Sequence, residues 1–145
     1  MRGYYGIGLW NPKNPVNVGS TLRACMCFGA SFLMIQGRCF TKMKHAADTC
    51  KAWKHIPVYN VENLIDSIPY DCVPVCVEFI QESKSLIEFK HYERALYIFW
   101  PEDGSVPPKI QERCAQTIYI PSDYCLNLAA AVNVILYDRR AKFSA

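Results

Sequence analysis

The sequence predicts an α/β domain built on a mostly parallel sheet flanked by helices. Short apolar runs of strand length alternate with segments that carry helical signals, and most of those runs are near-continuous. Such runs are what strands covered on both faces look like, and alternation of strands with helices is the signature of parallel crossovers. The chain has 145 residues, 51% of them hydrophobic and 20% charged, well away from disordered or low-complexity compositions. That length is close to the usual ~100–150 residue domain, so residues 1–145 are expected to form one domain, with no separate nucleic-acid-binding module.

The first strand is expected at Tyr4–Trp10 and the first helix at Val18–Phe28. Val18, Leu22, Cys25 and Met26 form one apolar stripe of that helix, Asn17 stands where an N-cap belongs, and Gly29 closes the last turn. A strand at Phe32–Ile35, a helix over roughly Thr41–Trp53, a strand at Ile56–Tyr59 and a short helix at Val61–Ser67 follow. Strands are then expected at Val73–Phe79 and Ala95–Phe99, a helix at Pro107–Gln116, a strand at Thr117–Ile120 and a final helix at Leu126–Arg140. In that last helix Leu128, Val132, Ile135 and Leu136 share a face, and Asn127 occupies the N-cap. Asn133 falls mid-helix among alanines and valines, where its amide needs a partner, and a buried helix–helix or subunit contact is expected to supply it. No internal repeat or linker divides the chain.

Composition narrows the function classes. The longest uncharged apolar stretches, Ala24 to Gly37 and Cys125 to Tyr137, fall short of the ~20 residues a bilayer crossing needs, and the N-terminus does not read as a signal peptide. A cytoplasmic protein with no membrane partner is expected. The eight cysteines include no CxxC pair, and three histidines are available to complete a metal site. Reduced thiols packed as small hydrophobes are therefore expected, with no metal.

Three segments could carry chemistry. In the first, Asn14 to Arg23, Gly19 and Arg23 lie one turn apart on one helix face, beside a helix N-terminus that attracts anions. That arrangement suits a phosphate, although a capped helix with a solvated arginine has the same pattern. In the second, Phe99 to Ser105, a strand ends in Pro101-Glu102-Asp103-Gly104, which suits backbone contacts to a ligand or a plain β-turn. In the third, Ile118 to Leu128, a strand and short loop lead into the last helix, with Cys125 and Asn127 placed to cap it or to face a ligand.

In order and spacing, these segments resemble the SpoU/TrmH branch of the SPOUT RNA methyltransferases. That branch carries, roughly, NxGxxxR near the N-terminus, a GxE turn after a late strand and [ST]xN at the last helix. Asn17, Gly19 and Arg23 match the first motif, Pro101-Glu102-Asp103-Gly104 the second, and Leu126-Asn127 with the Ala-rich helix the third, so the resemblance runs from Gly6 to Tyr137. It implies a C-terminal trefoil knot, which no sequence pattern would suggest because knots are so rare. It also implies S-adenosylmethionine bound in the knot, a homodimer, and methylation of ribose 2′-hydroxyls of tRNA or rRNA, tRNA being expected for so small a chain. Base methylation is the alternative within the same superfamily.

Carried onto this chain, the resemblance places the cofactor against Val77 and Glu78, against Trp100, Pro101 and Gly104, and against Ile120, Cys125 and Leu126. It makes Arg23, Asn17, Glu102 and Asn127 the catalytic set. Arginine, with a pKa above ~12, is a poor base, so Arg23 is expected to donate to a phosphate and the ribose oxygen. Asn17 and Asn127 would position oxygens, and Glu102 would brace Arg23 or Asn17. Two departures stand out: the family's glycine before Pro-Glu is Trp100, and its Ser or Thr in the third motif is Cys125, a weaker hydrogen-bonding group. Both leave open a weakened homologue that binds cofactor or RNA. Lys42, Lys44, Lys51 and Lys54, with Arg38 and Trp53, are either part of the RNA contact or a solvated lysine face. The net charge of +3 per chain is modest, and a cleft shared by two subunits would double it.

Overall fold

A computed structural model describes residues 3–37, 52–101, 104 and 107–144. Its strands are β1 (Tyr4–Trp10), β2 (Phe32–Gln36), β3 (Val58–Val61), β4 (Val73–Val77), β5 (Lys84–Ser85), β6 (Arg94–Phe99) and β7 (Gln116–Tyr119). They form one sheet in the order β3-β2-β1-β6-β4-β7-β5, with every neighbouring pair parallel. Helices α1 (Pro15–Phe28), α2 (Pro108–Arg113) and α3 (Leu128–Ser144) flank it. The α/β class with a parallel sheet is therefore as expected.

The near-continuous apolar strands divide residue by residue between two cores, because successive side chains leave a strand on opposite faces. Tyr5, Ile7 and Leu9 of β1 and Ala95, Tyr97 and Phe99 of β6 pack beneath α1 and α3. Leu96 and Ile98, followed by Trp100, pack on the other face with Met34, Leu64, Cys76 and Ile110 of α2. A Cβ at Gly6 would meet the Phe32 ring at 2.3 Å, so glycine there lets the aromatic lie flat on the strand. The expected stripes hold: Val18, Leu22 and Cys25 of α1 and Leu128, Val132, Ile135 and Leu136 of α3 are buried, and Met26 is half-buried.

Several boundaries differ from expectation. α1 starts three residues early, and its N-cap is Asn14, whose Oδ1 accepts from the Val16 N–H at 2.8 Å; Asn17 lies inside the first turn. Pro15 explains this, since proline at the first helical position gives up only an N–H that has no partner there anyway. Gly29 closes the helix at φ 77° as expected. Val61 ends β3, and the helix expected to Ser67 is a single 3₁₀ turn, Ile65–Ser67. Asn63 Oδ1 accepts from the Asp66 N–H and the Ser67 hydroxyl donates to the Asn63 carbonyl, which closes this one turn, and Pro69 then stops it from continuing. α2 stops at Arg113, leaving Gln116 to open β7. Most of the expected Thr41–Trp53 helix lies outside the described residues; Ala52–Lys54 form a 3₁₀ turn. Asn133 makes no buried helix–helix contact within the chain: it is exposed there, its amide donating to the Ala129 carbonyl one turn back at 2.9 Å.

A buried polar network ties the far end of α3 to the amino edge of the sheet. The Arg139 guanidinium, 1% exposed, donates to the Tyr92 and Glu93 carbonyls and the Tyr97 hydroxyl and lies over the Tyr5 ring. His91 bridges the Tyr97 hydroxyl at 2.6 Å and Asp138 at 2.7 Å, and Lys142 pairs with the same Asp138 at 2.8 Å. Burial lowers the His91 pKa, against the opposing pull of Asp138.

Candidate active site

The strand order reverses between β1 and β6: β1, β2 and β3 step outward on one side, while β6, β4, β7 and β5 fill the other. In parallel α/β sheets, ligands collect beyond the carboxyl ends of strands near such a reversal. All three sequence motifs fall on this edge. After β1, Asn11 adopts a left-handed φ of 49° and its N–H bonds the Gln36 carbonyl at 2.7 Å, turning the chain towards α1. Asparagine tolerates that conformation better than most residues. Along α1, Asn17 is half-buried, Gly19 buried and Arg23 exposed; the Asn17 carbonyl accepts from the Thr21 hydroxyl at 2.8 Å.

Beyond β4, Val77 and Glu78 are half-buried, and the Glu78 N–H bonds the Ile118 carbonyl of β7 at 2.8 Å. The Ser83 hydroxyl donates to the Glu78 carbonyl at 2.6 Å and accepts from the Ile80 N–H, closing the loop that carries Phe79. Beyond β6, the Gly104 N–H bonds the Pro101 carbonyl at 3.0 Å, the hydrogen bond of a β-turn. Beyond β7, Ser122 donates to the Tyr124 carbonyl at 2.8 Å, and the chain then passes Cys125 and Leu126, both exposed. Asn127 caps α3 as expected, its Oδ1 accepting from the Ala130 N–H at 2.7 Å.

The ends of β4 and β7 enclose an open cleft of about 750 Å³. Of the expected cofactor residues, Ile120 and Cys125 line it, and Val77 and Glu78 lead directly into its Phe79 wall. Trp100 does not line it. Its indole is 8% exposed, packed on Trp10 with ring centroids 4.6 Å apart and donating to the Cys76 sulfur at 3.2 Å. The bulky replacement for the family's glycine is thus absorbed by the second core. Pro101, Gly104 and Leu126 lie outside the cleft lining, as do Asn17 and Arg23 on α1. Glu102, Arg38, Lys42, Lys44 and Lys51 lie outside the described residues, whereas Lys54 is described and stands over the Trp53 ring.

Sequence reasoning missed the aromatic walls, Phe79, Tyr119 and Tyr124. Phe79 and Tyr119 meet edge to face at 4.9 Å, and Phe79 and Tyr124 are 77% and 88% exposed. The available signal was an aromatic at the end of each apolar run, Phe79 closing one and Tyr119 near the end of the other, with Tyr124 in the loop that follows. Burial pushes the Cys25 thiol up to about 12 and Cys72 to about 11, so both stay protonated packing groups near neutral pH. Cys27 and Cys125 are exposed instead of core thiols. No group of three metal-ligating side chains occurs among the described residues, and no helix there is long and apolar enough to cross a membrane.

Residues 5–137 match the SpoU rRNA Methylase family, and the chain belongs to it. No curated protein matches the chain in sequence. Among solved structures, one described as giving insights into the 2-OH methylation of C/U34 on tRNA is similar, with a TM-score of 0.84 and 21% identity over 98% of this chain and 97% of the other. The SpoU methyltransferase AviRb from Streptomyces viridochromogenes, solved in complex with the cofactor AdoMet, has a TM-score of 0.83 and 21% identity, over 100% of this chain and 60% of AviRb. An RNA 2′-O ribose methyltransferase reaches a TM-score of 0.87 at 14% identity, over 100% of this chain and 58% of the other. The chain thus spans about three fifths of the last two. At these identities the likenesses establish the fold, an α/β sheet of the SPOUT class.

Proposed function

We propose that this chain is an S-adenosylmethionine-dependent RNA methyltransferase acting on a ribose 2′-hydroxyl, with tRNA as substrate. It acts as a single-domain homodimer in the cytoplasm, its C-terminal segment threaded as the family's trefoil knot. The observation that carries this reading is the cleft at the carboxyl ends of β4 and β7, lined by Ile120 and Cys125 of the third motif. Its volume of about 750 Å³ falls in the range of small-molecule sites. Its rings suit an adenine and a sulfonium, which aromatic faces attract, and Asp123 adds an acceptor.

Bound there, S-adenosylmethionine supplies an electrophilic methyl group. Transfer to the ribose oxygen would break the carbon–sulfur bond, leaving the bonding electrons on sulfur and releasing the hydroxyl proton to solvent. The protein's work is alignment and activation of a weakly acidic hydroxyl. In this reading Arg23 donates to an adjacent phosphate and the ribose oxygen, Asn17 and Asn127 position oxygens, and Glu102 braces Arg23. Ile120 and Cys125 would hold the cofactor in the cleft, with Val77 and Glu78 leading into its Phe79 wall, and Trp100, Pro101, Gly104 and Leu126, outside the lining, would reach it only through backbone groups at its rim, as suits the buried Trp100 indole. Since Asn17 and Arg23 do not line this chain's own cleft, a second subunit's α1 is the natural source of the catalytic arginine.

The test is Arg23→Ala, exposed on α1 and outside the cores. Labelled methyl transfer to total tRNA is expected to fall at least ~100-fold, with S-adenosylmethionine affinity by calorimetry nearly unchanged. Retained transfer would refute the role given to Arg23. A second reading, a binding homologue with weakened catalysis, is favoured by Cys125 at the cleft where the family has a hydroxyl. Wild-type protein that binds cofactor and transfers no label would establish it.

A further inference from the structure

A second cleft opens on the same edge of the sheet, on the α2 face and on the far side of the strand-order reversal. It holds about 300 Å³ and shares no lining residue with the aromatic cleft. Its walls include Trp10 and Gln36, the last residues of β1 and β2, then Asn63 and Asp66 of the 3₁₀ turn, and Lys109 and Arg113 of α2. The two cations are four residues apart and so lie on one side of the helix, while Ile110 between them is buried. Both are exposed, and neither makes a hydrogen bond or ion pair among the described residues.

The floor is fixed. Gln36 Oε1 accepts from the Leu64 N–H at 2.7 Å, which turns its NH₂ away as a donor. Asn63 Oδ1 accepts from the Asp66 N–H at 3.1 Å, holding the turn that presents the Asp66 carboxylate. Trp10 is half-exposed and braced from behind by Trp100. Next to it, the Asn11 N–H clamps onto the Gln36 carbonyl, and a Cβ at Gly37 would lie 2.1 Å from Asn11 Oδ1. The turn that launches α1 and Arg23 is therefore the same turn that fixes two walls of this cleft.

A flat aromatic wall, an amide donor, a carboxylate acceptor and two unpaired cations match the parts of an unpaired nucleotide: base face, base edge, 2′-hydroxyl and flanking phosphates. We propose that this cleft docks an unpaired RNA nucleotide near the one being methylated, with Lys109 and Arg113 on its phosphates and Trp10 beneath its base. The proposal rests on the RNA methyltransferase reading. It also supplies a contact for a chain of modest net charge, +3.

The experiment measures binding of unfractionated tRNA across a salt series for the wild type and K109E/R113E. The variant is expected to bind at least ~10-fold more weakly near 0.15 M salt, with a log–log salt slope shallower by about two. Methyl transfer should lose through KM more than kcat, with S-adenosylmethionine affinity and the thermal midpoint unchanged. K109Q/R113Q serves if charge reversal perturbs folding, and should give the same ordering with a smaller loss. Variant binding within twofold of wild type, with an equal slope, would overturn the subsite and leave the methyltransferase reading intact. Wild-type protein that fails to bind tRNA would overturn both. A third arm adds uridine 5′-monophosphate as competitor: micromolar displacement of tRNA would assign the cleft to free nucleotides and overturn the proposal.

Discussion

At the amino edge of the sheet, Arg139 is buried and donates to two carbonyls and the Tyr97 hydroxyl, His91 lies between Tyr97 and Asp138, and Lys142 closes on Asp138 and the Phe89 carbonyl. At the carboxyl edge, Phe79, Tyr124, Lys109 and Arg113 are exposed, and two clefts open between them. At the first edge the charged side chains bond to one another, to Tyr97 or to backbone carbonyls, whereas at the second Lys109 and Arg113 are presented to solvent. Helix α3 connects the two: its cap, Asn127, sits at the open edge and its last turns are clamped at the closed one. A site that must admit a cofactor and RNA leaves backbone at one end loosely covered, and a densely hydrogen-bonded anchor at the other end, in which the Arg139 Nε alone of the guanidinium nitrogens lacks a partner among the described residues, offsets that cost.

The comparison breaks most visibly at Arg139. Arg139→Met keeps the stem but removes the hydrogen bonds to the Tyr92 and Glu93 carbonyls and the Tyr97 hydroxyl, of which Glu93 keeps the Tyr4 N–H and Tyr97 keeps His91, and is expected to cost roughly 3–5 kcal/mol in urea unfolding. That corresponds to a fall of roughly 10 °C or more in thermal midpoint, with methyl transfer per folded molecule retained. Next comes pH. Burial lowers the His91 pKa, while Asp138 raises it and Lys142 and Arg139 lower it. The unfolded chain therefore binds a proton, near the ordinary value of ~6.5, before the folded chain does. Stability from this group is full above that pH and is lost as pH falls towards the lower folded pKa, at up to about 1.4 kcal/mol per pH unit. Thermal midpoints at pH 7.5 and 5.5 should show this drop, and His91→Gln should flatten it. The smallest effect lies at the open edge: Asn127→Ala removes a helix cap and should cost about 1 kcal/mol, with methyl transfer falling further than that loss explains.

Much of this was legible in the sequence. β1 matches the expected run end for end, and β2 and β6 exceed theirs by one residue, because continuous apolar runs in central strands leave few alternatives. Edge elements were harder. β3 begins two residues later than the apolar run suggests, since as an edge strand it is positioned by its register with β2. β5 has two residues and no pattern at all. The motifs follow strands that end at the carboxyl edge, yet the aromatic walls arise only when the loop after β4 meets the loop after β7, which sit 40 residues apart in sequence and side by side in the sheet. The fate of Trp100 was likewise unreadable, because Trp10 and Cys76 reach it through the fold and not through local spacing.

The proposed activity of the carboxyl edge is 2′-O-methyl transfer to RNA. Incubation of the wild-type protein with labelled S-adenosylmethionine and total tRNA, followed by alkaline hydrolysis, tests it most directly, because a methylated 2′-oxygen cannot assist cleavage of the neighbouring linkage. Label is expected in alkali-resistant dinucleotides. Label confined to mononucleotides, or no label from protein that binds the cofactor, would contradict it.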